Sequence, residues 1–287
     1  MTDWLKNPAS LFDIRGKVAI VTGASGAFGA LAAQVLAGAG AKLFISTGNA
    51  KELAKVADEC TALGGDVETL AIRTTNEANC GKIIDAAVKR FGRVDILVVA
   101  SGKNDVAKIT DMTPERFADV MDANVTQSWL MARAAAKQMM AQGNGGQTHG
   151  KIVLMSSARG LLGHPAGYTA YCSSKSAIDG MTKALGCELG PTGITVNAIA
   201  PIAKTRMTED LPMFQGVDSL TAEHIAPAVL FLASDLCGDR TGHVVAIAGA
   251  RLYAFKVVET PGRFKETDNG VWKPQEIADS WDAIIKA

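Results

Sequence analysis

Lys17 to Gly29 reads KVAIVTGASGAFG, and this stretch decides the fold. Lys17 to Thr22 is a short apolar, β-branched run without alternation, the pattern of a strand buried on both faces. Thr22 to Gly29 then sets Gly23, Gly26 and Gly29 at the junction with a helical pattern running from Phe28 to Ala39. Glycines at such a junction let the backbone turn tightly and come close to a diphosphate, while the helix N-terminus offers unpaired N–H groups to the anion. A glycine triplet also suits an ordinary tight turn. Its position directly after the first strand favours anion binding.

The same beat recurs outward from this point. Strands are predicted at Lys42–Ser46, Val67–Ile72, Asp95–Ala100, Lys151–Met155, Thr195–Ile199 and His243–Ile247. Helical patterns lie between them at Lys51–Leu63, Glu77–Phe91, Pro114–Gln142, Ala170–Leu189 and Ala222–Ser234. Near-continuous Val/Ile/Leu/Ala strands alternating with helices imply an α/β fold: one doubly wound parallel sheet, Rossmann-like, with helices on both faces. Residues 1–250 read as a single dinucleotide-binding and catalytic domain. Residues 251–287 read as an extension whose Trp272 and Trp281 call for packing on the same domain or on a neighbouring subunit.

Composition narrows the function. Of 287 residues 48% are hydrophobic and 20% charged, which excludes disorder. Lys plus Arg and Asp plus Glu number 29 each, so no basic field exists to hold nucleic acid or an anionic membrane. Val18–Ala41 carries no charge over a length that could span a bilayer, but its five glycines and many alanines dilute its hydrophobicity, so no membrane span is expected. Cys60, Cys80, Cys172, Cys187 and Cys237 are scattered and show no metal-ligand spacing; no metal site is expected. With MTDWLKNPASLF at the start, no secretory signal is read, and a reducing cytoplasm is the expected location.

The chemistry concentrates in two places. Tyr171 and Lys175, in YCSSK, stand four residues apart and so share one face of a helix. An ammonium beside a phenol lowers its pKa toward the range of general acid–base catalysis. Ser157, in KIVLMSSARG, follows a strand where open α/β sheets bind ligands, and its hydroxyl can polarise a carbonyl. Each alone reads more simply as surface decoration or a turn residue.

Together, in this order and at these intervals, these residues resemble the short-chain dehydrogenase/reductase family over roughly residues 12–250. The resemblance implies a catalytic tetrad of Asn124, Ser157, Tyr171 and Lys175, with Asn124 helping its helix hold a water for proton relay. Tyr171 would exchange the hydroxyl proton, Lys175 would depress its pKa and bind the nicotinamide ribose, and Ser157 would hold the substrate oxygen. Cofactor contacts are implied at Gly23, Ser25, Gly26, Phe28, Gly29, Thr47, Gly48, Asn49, Arg73, Thr74, Ala100, Ser101, Gly102, Tyr171, Lys175, Pro201, Ile202 and Thr205. Family members associate through helices equivalent to Pro114–Gln142 and Ala170–Leu189, which implies a dimer or tetramer.

Departures from the family pattern stand at several of these positions. Ala27 occupies the usual second-glycine place, Val99-Ala100-Ser101-Gly102 replaces an Asn-Asn-Ala-Gly motif, and Ile202 follows Pro201 where a glycine is common. Thr205 is displaced by one position, and Ser157 and Tyr171 are one residue further apart than usual. The backbone groups that the missing asparagines serve need other partners. Thr47 stands where a carboxylate would hold the adenosine ribose of NAD, and Arg73 adds a positive charge on the adenosine side. That balance slightly favours NADP(H) over NAD(H).

The resemblance implies a small-molecule substrate, a secondary alcohol or ketone, and no nucleic acid or membrane partner is expected. Pro201–Leu232 with the tail is similar to the hydroxyacyl-CoA dehydrogenase unit of peroxisomal multifunctional enzymes, which implies a 3-hydroxyacyl thioester. LFDIRGKVAIVTG is similar instead to sugar-acid and polyol dehydrogenases. An apolar lid over Lys204–Leu220, with Met207, Leu211, Met213 and Phe214, suits a bulky apolar ketone. His164 lies between Ser157 and Tyr171 in sequence, beside the expected pocket. The competing reading, prompted by the altered motifs, is a non-catalytic dinucleotide-binding regulator.

Overall fold

The computed structural model describes residue 12 and residues 14–143, 148–162, 166–205 and 220–286. The chain clusters into two compact units, Met1–Ala254 and Phe255–Ala287. The described strands are β1 (Val18–Thr22), β2 (Lys42–Ser46), β3 (Asp66–Leu70), β4 (Ile96–Val99), β5 (Lys151–Met155), β6 (Thr195–Ile202), β7 (Val244–Ala248) and β8 (Arg251–Phe255). They form one sheet in the order β3-β2-β1-β4-β5-β6-β7-β8, with parallel pairing from β3 through β7. The doubly wound parallel sheet is therefore present. β8, which falls in the stretch the sequence reading takes as an extension without a strand, is joined to β7 by Gly249 and Ala250 alone, a connection too short for a parallel crossover.

β1 shows why the pattern folds this way. Val18 to Val21 are fully buried, and their side chains alternate between two layers. Ala19 and Val21 join a core cluster with residues of α1 (Ala27–Gly38), α2 (Ala50–Ala62) and α8 (Ala226–Ala233). α3 (Glu77–Phe91) and α5 (Gln127–Gln142) pack together elsewhere, and α7 (Thr169–Leu189) packs on β5 and β6. Side chains such as Ile20 and Leu97 each contribute about 1.5–3 kcal/mol by full burial. The uncharged Val18–Ala41 stretch is divided between β1 and α1, and among the described residues no helix is long and apolar enough to cross a membrane.

The predicted helix Pro114–Gln142 is interrupted. α4 (Pro114–Met121) passes through a π-helical turn, Asp122–Thr126, before α5 begins. There Ser128 Oγ donates to the Asn124 carbonyl at 2.7 Å, a side-chain bond that competes with the regular backbone ladder. A short helix, α6 (Ala158–Leu162), follows β5. The expected lid residues at 206–219, and His164, lie outside the described residues.

The second unit contains α9 (Pro274–Ile285). Glu276 Oε2 accepts from the Lys273 N–H at 2.7 Å and from Lys265 Nζ at 2.6 Å, closing the first turn of α9. No described side chain of this unit is buried.

Candidate active site

Strand order reverses between β1 and β4, and open α/β sheets bind ligands beyond the carboxyl ends of the strands at such a point. A cavity of about 990 Å³ opens there. Gly23 has φ +70°, and a Cβ on it would lie 2.4 Å from the Ser101 nitrogen. A Cβ on Gly29 would lie 2.2 Å from the Gly23 carbonyl oxygen. These two glycines let β1, the turn and α1 close on one another and on the end of β4. Ala27, in the family's glycine place, is the first residue of α1, so its N–H has no intrahelical partner. The hydroxyls of Thr22 and Ser101 are buried with no hydrogen-bond partner among the described residues, and both residues border the cavity. Unpaired buried polar groups beside exposed helix N–H groups fit a polar, anionic ligand, so a nicotinamide dinucleotide suits the residues present.

Seventeen of the twenty expected site residues border this cavity; Gly29, Asn49 and Asn124 do not. Gly29 acts through helix–turn packing. Asn49 is the N-cap of α2, its Oδ1 accepting from the Glu52 N–H at 3.2 Å, so its side chain serves the helix. At the adenosine end, Ser25 and Thr47 share a hydrogen bond of 2.9 Å, and a Cβ on Gly48 would meet the Arg73 side chain at 2.4 Å. Arg73 thus lies directly against Gly48, close to where an acid would otherwise stand.

Asn124 has a structural place that the sequence reading does not give it. Its Oδ1 accepts from the Lys103 N–H at 2.6 Å, and its Nδ2 donates to the Lys103 carbonyl and to Ser174 Oγ, both at 2.8 Å. Ser174 Oγ in turn donates to the Tyr171 carbonyl at 2.8 Å. Asn124 therefore clamps the segment after β4 to the helix that carries Tyr171. It satisfies both Lys103 backbone groups just beyond the altered Val99–Gly102 motif. The π-helical turn presents it there; nothing in the periodicity of Pro114–Gln142 signals that turn.

At the catalytic end, Ser157 is 6% and Lys175 5% exposed, while Tyr171 is partly buried. Lys175 Nζ lies 5.7 Å from the Tyr171 ring centroid and donates to the Met155 carbonyl at 2.8 Å. The spacing predicts a lowered phenol pKa, and burial works against it. Burial pushes Tyr171 above the ordinary tyrosine value, opposed by a hydrogen bond from Ser157 and by the charge of Arg159. Lys175 is itself lowered to about 8 by burial, with Asp179 pulling the other way. The sequence reading misses Arg159, which borders the cavity and has its guanidinium 5.4 Å from the Tyr168 ring centroid. Its place two residues after Ser157, on the strand-end turn, is the one signal that could have marked it.

This sheet and crevice define a dinucleotide-binding α/β oxidoreductase. A family model described as short chain dehydrogenase matches residues 17–215, and the chain belongs to that family. An uncharacterized oxidoreductase of Mycobacterium tuberculosis is 38% identical over 83% of this chain and 92% of that protein. A 3-oxoacyl-[acyl-carrier-protein] reductase of Rickettsia felis is 34% identical over 84% of this chain and 99% of its own length. The peroxisomal hydratase-dehydrogenase-epimerase of Saccharomyces cerevisiae is 30% identical over 94% of this chain, which spans 30% of that longer protein. A solved short chain dehydrogenase from Mycobacterium avium superposes with a TM-score of 0.84 at 29% identity, over 95% of each chain. The chain is thus an NAD(P)-dependent enzyme of the short-chain dehydrogenase family.

Proposed function

We propose that the protein interconverts a ketone and a secondary alcohol borne on a bulky apolar chain, with a 3-oxoacyl or 3-hydroxyacyl thioester as the substrate class and NADP(H) as the preferred cofactor. The convergence of Ser157, Tyr171 and Lys175 on one wall of the dinucleotide crevice carries this reading. The bound nicotinamide supplies or accepts the hydride. Tyr171 Oη holds the proton that a ketone oxygen gains. Because burial raises its pKa, the phenol is protonated at neutral pH and is set to donate. Ser157 Oγ, within hydrogen-bond reach of the phenol, turns its single hydrogen to the same substrate oxygen and orients it. Lys175 places an ammonium within reach of the Tyr171 ring, which favours proton departure as charge develops.

The thioester class is supported by the Rickettsia reductase and by the yeast multifunctional protein. The NADP(H) preference is supported by Arg73 against Gly48 and by Thr47 in place of an acid. The regulator reading draws less support from the altered Val99–Gly102 segment, since Asn124 holds the Lys103 backbone beside it. A cytoplasmic homo-oligomer completes the proposal, with Trp129 and Met140 of α5 exposed on a helix of the type through which the family associates.

The test is turnover of NADPH and NADH with 3-oxoacyl thioesters, long-chain ketones and sugars. Fastest reduction of the thioesters with NADPH is expected. A preference for sugars or polyols with NAD(H) would overturn the substrate and cofactor assignment.

A further inference from the structure

Asp179 lies one helical turn beyond Lys175 on α7 and is 2% exposed. Its Oδ1 accepts a hydrogen bond from Ser156 Oγ, the residue beside Ser157 at the end of β5. Its Oδ2 is buried with no hydrogen-bond partner among the described residues. A carboxylate withdrawn from water with half its acceptor capacity unused is costly, and an apolar residue would avoid that cost. Burial raises the Asp179 pKa, and the Ser156 hydrogen bond and nearby cations oppose that rise, so these groups are what keep it charged. Lys175 and Lys183 are the cations that act on Asp179, both from α7, and Ser156 is the polar group facing it from the sheet. Lys183 is exposed, so water screens it; Lys175 is buried one helical turn from Asp179 on the same helix. For Lys175 the relation is reciprocal, since Asp179 is the ionisable group that favours its ammonium form.

We propose that Asp179 is a positioning residue of the proton-transfer centre: it is the buried counter-charge of Lys175 and, through Ser156, it anchors the strand end from which Ser157 projects. The inference rests on the proposed roles of Ser157 and Lys175 and extends them to a group outside the cavity. Burial already brings Lys175 down to about 8, close to neutrality. Without a carboxylate beneath it, a lysine this deeply buried would lose its proton within the working pH range.

The experiment is a pH titration of Lys175 by ¹³C NMR of lysine-labelled full-length protein, with the signal assigned through Lys175→Arg. In Asp179→Asn the Lys175 midpoint is expected to fall by about one unit or more, and the alkaline limb of ketone reduction to move with it. Ser156→Ala, which keeps the charge, is expected to leave the midpoint within a few tenths of a unit while lowering kcat. An unchanged midpoint in Asp179→Asn, or an equal shift in Ser156→Ala, would overturn the counter-charge role. If Asp179→Asn does not fold, the carboxyl resonance of Asp179 in the unaltered protein decides: ionised at pH 7 supports the proposal, protonated overturns it. None of these titrations needs a substrate. A Lys175 shift without any ketone turnover would defeat the redox reading alone, and turnover without the shift would defeat the counter-charge alone.

Discussion

Replacing Gly23 by alanine separates a cofactor turn that tolerates side chains from one that does not. Gly23 has φ +70°, and an L residue held in left-handed geometry costs roughly 1–2 kcal/mol. The added Cβ would stand 2.4 Å from the Ser101 nitrogen, 2.6 Å from its Cα and 2.7 Å from the Ala100 carbonyl carbon, about 1 Å inside ordinary 3.4 Å contact. All three atoms are backbone at the end of β4, so no side chain can rotate away. Overpacking of this type adds about 1–3 kcal/mol, giving a total near 2–5 kcal/mol. Gly26→Ala is the control: φ is −77°, and the nearest atom to its Cβ is the Gly23 carbonyl oxygen at 3.4 Å. As a glycine N-cap it should cost about 1 kcal/mol or less. Urea unfolding followed by circular dichroism measures both, with the slope checked for constancy, and NADPH fluorescence titration measures the site. Gly23→Ala should unfold at clearly lower urea and bind NADPH at least tenfold more weakly; Gly26→Ala should resemble the unaltered protein in stability. Equal midpoints for the two variants would refute the steric account of the turn.

Three further outcomes follow from the site. In the proposed mechanism ketone reduction draws on the Tyr171 proton and the Lys175 charge; with Tyr171 raised and Lys175 lowered to about 8 by burial, log kcat/KM should be flat near pH 6–7.5 and fall above about pH 8, whereas a fall only near pH 10 would contradict the lysine's part. Arg73→Ala removes one charge-assisted contact worth about 1.5–3 kcal/mol and should weaken NADPH binding by about ten- to a hundredfold while sparing NADH; equal losses for both would remove Arg73 from the phosphate site. Asn124→Ala deletes three hydrogen bonds, one buried and two partly buried, and should destabilise the fold by about 2–4 kcal/mol and abolish turnover, which urea midpoints and initial rates can check together.

Sequence legibility follows the physics of each element. β1, β2 and β5 are readable because strands covered on both faces must be continuously apolar, and the glycine turn because only glycine fits at Gly23 and Gly29. Tyr171, Lys175 and Ser157 are readable from chain order and spacing. The π-helical turn is not, since its single extra residue leaves the apolar periodicity of α4 and α5 almost unaltered. β8 is missed because a hairpin edge strand such as RLYAF is short and mostly exposed, without the unbroken apolar signature of the inner strands. The direction of the Tyr171 shift is missed because spacing places an ammonium near the ring but does not report the burial that raises the phenol. At Asn49 the position suggests a ligand, and what spacing does not report is that an orphan N–H of α2 claims its side-chain oxygen.

The most direct measurement is ketone reduction by Tyr171→Phe, paired with NADPH titration of the same variant. Removing one hydroxyl from a partly buried ring should lower kcat by about a hundred- to ten-thousandfold while the dissociation constant for NADPH stays within a few-fold. Full turnover by Tyr171→Phe would show that the proton comes from elsewhere and would contradict the account.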